Sequence, residues 1–539
     1  MHRTDAEAVA FETSGNFSQE KRRGQINLQF YRLIFPLTKK TLEFGLMCIQ
    51  GLCLLALFSC AAGPDFRKPE AKVPLTWDGL NASVPSQGTN ISPQPVELIE
   101  WWNSFNDPVL TSLIERAIGS NLDLRQAGAR IRQARASAGV AAAGFWPEVD
   151  ANSSFLRSGS GGTSVSSSNG SGTSGTQTPT IIGSSVGNLF QAGLDASWEL
   201  DFFGGTRRNI EATRADLQAA VEDRRNVLVT LVSDVGNTYA NLRQFQKQIE
   251  IARNNLKAQQ HTVEITRKRH EAGFVGGLDV ANALAQAATT ESQIPVLETS
   301  VKSAIYSLSI LLGLEPAALE GELSTERPIP PTPPEVPVGL PSDLLRRRPD
   351  IRKAEAQLHA ATARIGVATA DLFPKFSLTG SFGFSSSDVT VLGNWSSRVW
   401  TWGPSVTWPV FDAGRIRWNI QVQNALQEQA LLTYEQAILT ALKDVDTALV
   451  SYAKELQHNR LLATAVQNNR TAVDLSTKLY VEGKTDFLNV LNAQRSLYTS
   501  EDALAQSTNS LTTDLIALYK ALGGGWEKSA GEDKPEGRN

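Results

Sequence analysis

Two long stretches of the chain carry apolar residues at alternating spacings of three and four. In the first stretch the pattern runs from Leu217 to Leu256 with two polar interruptions. A 3.5-residue period sustained over this length is typical of a coiled coil. No proline interrupts residues 206–272, which predicts a helix of about 100 Å at 1.5 Å per residue. Residues 415–482 repeat the pattern and predict a second long helix.

A stricter alternation of apolar and polar residues precedes each long helix. It covers residues 189–202, 374–384 and 399–411, and more weakly 147–157. Period two over 10 to 14 residues, with aromatic side chains on the apolar face, is typical of outer-membrane strands. A half-buried sheet of a soluble protein is the alternative. Four strands are too few to close a membrane barrel, and an open edge is costly in lipid. Strands that cross a membrane would therefore share one barrel with other copies.

The chain is an internal duplication. Trp198 and Trp408 lie 210 residues apart, whereas Pro147 and Pro374 lie 227 apart. The difference of 17 falls at a Ser/Gly-rich insertion, residues 158–177, in the first copy. The 210-residue spacing also relates Gly204 with Gly414, Asp234 with Asp444, Gly273 with Gly483, and Leu312 with Leu522.

The duplication predicts two repeats, residues 101–326 and 344–526. In each repeat a glycine turn follows the long helix, and return helices are expected at residues 278–312 and 487–522. The repeats are joined by residues 327–343, whose prolines oppose both a helix and strand pairing. We therefore expect this segment to be an extended connector.

The amino-terminal region contains a short apolar run, residues 45–59, preceded by two lysines. It is short for a membrane-spanning helix, which needs about 20 residues, and fits the hydrophobic part of a signal peptide. We assign residues 1–59 to a signal-peptide region, with a start placed too far upstream as one explanation of its length. Residues 60–100 are expected to be a surface tether, and residues 527–539 a flexible tail.

The end of the apolar run, Leu57-Phe58-Ser59-Cys60, resembles the bacterial lipobox. The resemblance implies cleavage before Cys60 and attachment of a diacylglycerol and an acyl chain to it. Such chains would anchor the protein, since each buried CH₂ contributes about 0.8 kcal/mol. Ala61 in place of aspartate then favours the outer membrane. The alternative is an ordinary signal peptide with a passive Cys60.

Composition narrows the function classes. The 51 basic and 55 acidic residues give a net charge of −4, which offers no case for nucleic-acid binding. Cysteines occur only at 48, 53 and 60, and the five histidines are scattered. We therefore expect no metal site and no cofactor. The sequence also lacks a nucleophile elbow, a phosphate loop and a paired-carboxylate pocket, so we expect no enzyme.

Several motifs together resemble the TolC-type outer membrane efflux factors, especially their lipoprotein branch of OprM and NodT type. The motifs are Gly63-Pro64-Asp65-Phe66, the Trp101-Trp102 pair, residues 345–352, Phe373-Pro374, residues 491–495 and residues 521–526. The resemblance implies a mainly α fold with a transmembrane β part. A homotrimer would form a 12-stranded barrel in outer-membrane lipid, continuous with a 12-helix barrel across the periplasm. The implied partners are a periplasmic adaptor and an inner-membrane transporter of RND type.

The resemblance also assigns site residues at the two glycine turns. The turns would be periplasmic tips where the adaptor docks, formed by Gly273, Gly276, Gly277, Gly483, Lys484, Thr485 and Asp486. The gate of a passive conduit would be formed by Asp279, Asn282, Leu488, Asn489, Asn492 and Arg495. Asn489 and Asn492 stand where relatives commonly carry aspartate. The alternatives are solvated helix-end side chains for these residues and a non-conducting envelope scaffold for the whole protein.

Overall fold

The computed structural model describes residues 61–71, 73–78, 90–92, 98–160, 185–333 and 335–527. Our predictions for the signal region, Cys60, most of the insertion and the carboxyl tail lie outside these residues. Within the described residues, no helix is both long and apolar enough to cross a membrane.

Each repeat contains a short helix, a long helix and a return helix. The long helices start and stop within one residue of the expected bounds. The helices are α1 (Pro108–Ser120), α2 (Leu122–Ala143), α3 (Gly205–Glu271), α4 (Gly277–Leu311), α5 (Glu320–Leu323), α6 (Pro341–Arg347), α7 (Pro349–Ala370), α8 (Arg415–Val481) and α9 (Phe487–Ala521). The long helices α3 and α8 each have 67 residues, and the return helices α4 and α9 each have 35.

The described residues form six strands, of which four are long. The strands are β1 (Asn90–Ser92), β2 (Glu148–Ser160), β3 (Ser185–Leu200), β4 (Glu335–Pro337), β5 (Lys375–Ser386) and β6 (Arg398–Thr407). The four long strands form one antiparallel sheet in the order β2-β3-β5-β6, and the short strands β1 and β4 form a separate pair.

The register of the large sheet separates apolar from polar side chains. Phe190 pairs with Phe155, and Phe382 pairs with Trp400, so apolar residues of all four strands share one face. The other face carries polar cross-strand pairs. The hydroxyls of Ser377 and Ser405 lie 2.7 Å apart, and those of Ser381 and Thr401 lie 2.8 Å apart. The alternation seen in the sequence is thus a property of the whole sheet.

Two tryptophans tie the base of the sheet to the short helices. The indole N–H of Trp198 donates to the Phe145 carbonyl at 3.0 Å, and that of Trp408 donates to the Leu372 carbonyl at 3.0 Å. Strand β6 ends before Trp408, four residues earlier than predicted, and Pro409 has no N–H to continue the ladder. The two repeats therefore make the same join between sheet and helices.

The main hydrophobic core surrounds the middle of the helices, and the amino-terminal segment contributes to it. Trp77 is 1% exposed and Leu98 is 2% exposed. The Trp77 indole donates to the Gly339 carbonyl at 3.0 Å. The expectation that residues 60–100 run over a surface was wrong for this part, because a tryptophan and a leucine bury enough apolar area to enter the core.

The connector also differs from expectation. Strand β4, inside residues 327–343, pairs in parallel with β1, with Asn90 opposite Glu335. Helix α6 then begins at Pro341. The prolines permit both elements, because Pro337 stands at a strand end and Pro341 at the first position of a helix. Neither position requires a backbone N–H donor, which proline lacks. The prediction that prolines exclude all regular structure here was wrong.

The residues directly after Cys60 are docked against the base of α3. Arg208 donates to the Asp65 carboxylate at 2.6 Å and to the Ala62 carbonyl at 3.2 Å. Phe66 stacks on the His359 ring with centroids 4.5 Å apart. The segment of residues 61–66 is thus held in place by several side chains.

Candidate functional site at the helix hairpin turns

The two long helices end in the same glycine turn. Gly273 has φ +80° and Gly483 has φ +74°. The Gly273 N–H donates to the His270 carbonyl and the Phe274 N–H to the Arg269 carbonyl, both at 2.9 Å. This bond pattern is a Schellman motif, in which glycine avoids the strain of a left-handed backbone.

The second turn repeats the pattern of hydrogen bonds. The Gly483 N–H donates to the Tyr480 carbonyl at 3.0 Å, and the Lys484 N–H donates to the Leu479 carbonyl at 2.8 Å. A Cβ added at Gly273 would meet nothing within 4 Å, so the backbone angle rather than space calls for glycine there. Two matching hairpins are therefore built into each chain.

The other predicted tip residues lie in these turns. Gly276 and Asp486 are extended and stand directly before α4 and α9. Gly277 opens α4 beside the His270 ring, 3.8 Å away from an added Cβ. In the second turn Lys484 pairs with Glu482 at 2.7 Å, and Asn489 donates to the Thr485 hydroxyl at 2.8 Å. These turns present polar and backbone groups at the hairpin ends.

The six predicted gate residues lie on the first turns of the two return helices. Asp279 and Asn282 on α4 are half-buried, whereas Leu488, Asn489 and Asn492 on α9 are exposed. The internal duplication makes Asp279 equivalent to Asn489 and Asn282 equivalent to Asn492. One copy therefore places a carboxylate where the other places an amide.

The sixth residue, Arg495, joins the two hairpins of one chain. Its Nε donates to the Gln286 side-chain oxygen at 2.6 Å, which connects α9 to α4. Gln286 itself is nearly buried. Sequence reasoning placed Arg495 in the gate but did not identify this partner.

A second, smaller hydrophobic core lies beneath the turns and was missed in the sequence. Its centre is Tyr480, whose ring lies 5.8 Å from that of Phe487 and whose hydroxyl donates to Thr266 at 3.3 Å. The buried members are Val263, Ala283, Ala287, Tyr480, Phe487, Val490 and Leu491. This tip core packs both hairpins of the chain together.

Arg269 completes the tip core. Its guanidinium carbon lies 4.6 Å from the centroid of the Tyr480 ring. Its Nη1 donates to the carbonyls of Tyr480 and Val481, at the carboxyl end of α8. A cation there is favoured by the helix dipole, and an arginine stacks well on an aromatic face. The first hairpin thus caps the long helix of the second.

Two charged residues at the exposed surface of the first hairpin, Glu264 and Lys268, shift each other's pKa. A hydrogen bond from Lys268 lowers the pKa of Glu264, and the same bond raises the pKa of Lys268. Both groups are fully exposed, so solvent screens the pair. In the described part of the chain, no group of three or more His, Cys, Asp or Glu side chains is arranged to hold a metal.

The fold and the paired hairpins define the class of protein. Residues 113–314 and 340–524 match the model of the outer membrane efflux protein family, so the chain belongs to that family. The resemblance inferred from the motifs is confirmed, as are the outer-membrane location and the class of efflux channel.

Individual relatives match along almost their whole length. The chain is 36% identical to the pyoverdine export outer membrane protein OpmQ of Pseudomonas aeruginosa, over 89% of this chain and 97% of that protein. It is 31% identical to nodulation protein T of Rhizobium leguminosarum bv. trifolii, over 88% and 97%. A solved structure of the outer-membrane channel OprN superposes with a TM-score of 0.77 at 35% identity, covering 87% of this chain and 100% of that one.

Proposed function

We propose that three copies of this chain form one passive conduit through the outer membrane and the periplasm. The observation that carries the proposal is the four-stranded sheet. Among the described residues its outer strands, β2 and β6, each pair with one strand only. Unpaired backbone groups are costly in lipid, and four strands cannot close a barrel alone. Twelve strands from three copies remove every edge.

The two faces of the sheet support this assembly. Exposed apolar side chains such as Phe155, Phe382, Trp400 and Trp402 lie on one face and suit outer-membrane lipid. The hydroxyl pairs of the other face, Ser377 with Ser405 among them, suit a water-filled lumen. A soluble sheet with one buried face would not leave both faces accessible in this way.

We further propose that Cys60 carries the lipid anchor. The docked segment of residues 61–66 holds the chain directly after it, through Arg208 and Asp65. Mass spectrometry of the amino-terminal peptide tests this proposal. We expect a lipid-modified Cys60 and no mature chain containing residues 1–59. A Cys60→Ser variant should remain unprocessed, and an unmodified Cys60 in the mature wild-type chain would contradict the assignment.

For the gate, the proposal is that an adaptor docks on the glycine turns and holds the hairpins apart. A transporter of RND type in the inner membrane would supply the energy, since the proposed conduit is passive. In the resting state Asp279 and Asn282 of one hairpin and Leu488, Asn489, Asn492 and Arg495 of the other would narrow the pore. Five of these six side chains are polar, and the four on α9 are exposed, which supports such a role.

Conductance of the purified full chain in planar bilayers tests the conduit. We expect small, closed-state currents from the wild type. An Arg495→Ala variant, which loses the bond to Gln286, should give larger currents. If neither protein conducts in membranes that contain it, the alternative of a non-conducting envelope scaffold holds instead.

Cross-linking tests the gate separately. Asp279→Cys and Asn492→Cys in one chain should form disulfides between neighbouring copies and block export from cells. Reduction should restore export. A locked protein that exports at the wild-type rate would show that the hairpin turns do not gate the conduit. Single-cysteine variants serve as controls.

A further inference from the structure

The duplicated helices do not have duplicated neighbours. Long helix α3 packs against short helix α2 of its own repeat and against short helix α7 of the other. Long helix α8 packs against α7 of its own repeat. Helix α8 is the equivalent of α3, and α2 is the equivalent of α7. A contact like that between α3 and α7 would therefore pair α8 of one chain with α2 of another chain. The surfaces of the equivalent helices can be compared residue by residue.

The stripe of α3 that faces α7 is buried, while its equivalent on α8 is exposed. The buried residues, spaced by four and three, are Arg208, Ala212, Ala215, Ala219 and Glu222. Adding 210 gives the equivalent stripe of α8, which is Trp418, Val422, Ala425, Gln429 and Leu432. Trp418 is 71% exposed, Val422 53% and Leu432 57%. The uncharged side chains of Trp418 and Leu432 thus replace the charged Arg208 and Glu222 on a surface that lies open in the single chain.

The short helices show the same contrast. Ala356, Ala360, Ala363 and Gly366 of α7 are buried. Their equivalents on α2, at a spacing of 227, are Ala129, Gln133, Ala136 and Gly139, and all are exposed. Three of the four residues are the same type in both helices. Small residues let helices approach closely, and α7 uses them in this way.

We propose that the Trp418 stripe of α8 docks on the Ala129–Gly139 stripe of α2 in a neighbouring copy of this chain. The proposal rests on the three-copy conduit proposed above and identifies the helices and residues that join the copies. The partner is a second copy because the equivalent surfaces of α3 and α7 are already packed together, helix to helix, inside the chain. No other partner is needed to explain their shape.

The within-chain contact also indicates which residues meet. A Cβ added at Gly366 would come within 2.8 Å of the Arg208 Cγ, so the Arg208 side chain crosses this glycine. Around Gly139 an added Cβ would meet nothing within 4 Å. By equivalence, the Trp418 ring of one copy lies across Gly139 of the next. A tryptophan seated there buries a large apolar area in one contact.

The chemistry of the two contacts differs. Inside the chain, Arg352 pairs with Glu222 at 2.7 Å and Lys353 with Asp223 at 2.7 Å. On α8 the residues equivalent to Glu222 and Asp223 are Leu432 and Thr433, and neither carries a charge. Burial of apolar side chains, rather than ion pairing, would therefore hold the copies together. Added salt should leave this contact intact, because screening acts on charges.

Cross-linking of the full chain in native membranes tests the proposal. In a background with Cys48→Ser and Cys53→Ser, the pair Trp418→Cys and Gly139→Cys is treated with a short bismaleimide. We expect mass shifts to two and three chains on a denaturing gel. Single-cysteine variants should give no shift. The matched control is Trp418→Cys with Ala127→Cys, since Ala127 is 1% exposed and lies outside the exposed stripe of α2.

Two further arms make the result decisive. When Trp418→Cys and Gly139→Cys are placed on separate co-expressed chains, the shift should stop at two chains, as a contact between copies requires. A second pair, Leu426→Cys with Ser137→Cys, covers the case in which the first variant does not fold. These residues are equivalent to Asp216 and Arg364, which form an ion pair between α3 and α7. If both pairs fail while particles of three copies are still isolated, the docking is wrong and the conduit stands. If no three-copy particle exists, the conduit itself is wrong.

Discussion

The two repeats have the same backbone geometry but carry different side chains at some equivalent positions. Both use a left-handed glycine after the long helix, and both join sheet to short helix through a tryptophan N–H. Yet Asp279 of the first repeat corresponds to Asn489 of the second. Positions fixed by backbone geometry therefore recur in both repeats, whereas side chains that the backbone does not constrain differ between them.

Arg269→Ala should have the largest effect, because the tip contact is made from one repeat only. The equivalent residue of the second repeat is Leu479, which cannot donate a hydrogen bond. Loss of the charged bonds to the end of α8 and of the Tyr480 contact should lower the stability of the tip by about 2–3 kcal/mol. Hydrogen exchange of the tip amides measures the loss. Lys268→Ala, an exposed neighbour, should change little, and equal exchange in both variants would refute the capping role.

Gly273→Val and Gly483→Val should each destabilise their hairpin by about 1–2 kcal/mol, the cost of a left-handed conformation for a side chain with a Cβ. Equal losses would confirm that the backbone alone sets both positions. Gly276→Ala is the control, because its φ of −78° suits any residue. Thermal unfolding of the assembled protein reports all three. A large difference between the two valine variants would show that the turns are not equivalent.

A half-buried carboxyl, that of Asp514, distinguishes the return helix of the second repeat. Burial, together with the nearby Glu455, raises the pKa of Asp514 to about 6. The equivalent residue of the first repeat is the buried Ala304. Because the folded pKa lies above the unfolded value, the carboxyl disfavours the fold increasingly as pH rises from about 4 through 6.

Asp514→Asn should therefore raise the Tm at pH 8 by about 2–4 °C, and the gain should vanish near pH 4. Scanning calorimetry across this pH range tests the sign. The exposed Asp474→Asn is the control and should show no such trend. A gain that is the same at every pH would mean that the amide acts through packing rather than through charge.

Exchanging the charge between the repeats should have the smallest effect. Asp279→Asn removes a favourable carboxylate from the start of α4 and should cost about 0.3–1 kcal/mol, while Asn489→Asp should gain a similar amount at α9. Hydrogen exchange of the first turn of each helix measures both changes. If these residues also line the gate, the first variant should lower and the second should raise the preference for cations in bilayer recordings.

Local patterns in the sequence predicted the local elements. The 3.5-residue period predicted α3 and α8, and strict alternation predicted the four long strands, because each pattern reflects one element meeting one environment. The turn at Gly273 followed from a glycine at the end of the apolar pattern. The gate residues came from the family resemblance and not from physical reasoning about the residues, and they remain a prediction.

Contacts between distant segments could not be predicted in this way. Nothing near Asn90 shows that it pairs with Glu335, and nothing near Arg269 shows that it caps α8 through Tyr480. Such contacts depend on where assembled elements lie, and a linear pattern carries no record of that. Trp77 illustrates the same limit, since a tryptophan in a polar, proline-rich stretch can pack into the core or remain exposed.

Because the two hydrophobic cores lie far apart along α8, a small tilt of this helix at the main core produces a large displacement at the turn. Tyr452 is the last fully buried member of the main core along this helix, and Gly483 lies 31 residues further on. At 1.5 Å per residue that arm is about 46 Å long, so a tilt of about 5° at Tyr452 displaces the turn by about 4 Å. A partner bound at the turn would therefore need only a small rotation of the helix at Tyr452 to move the turn by several ångströms.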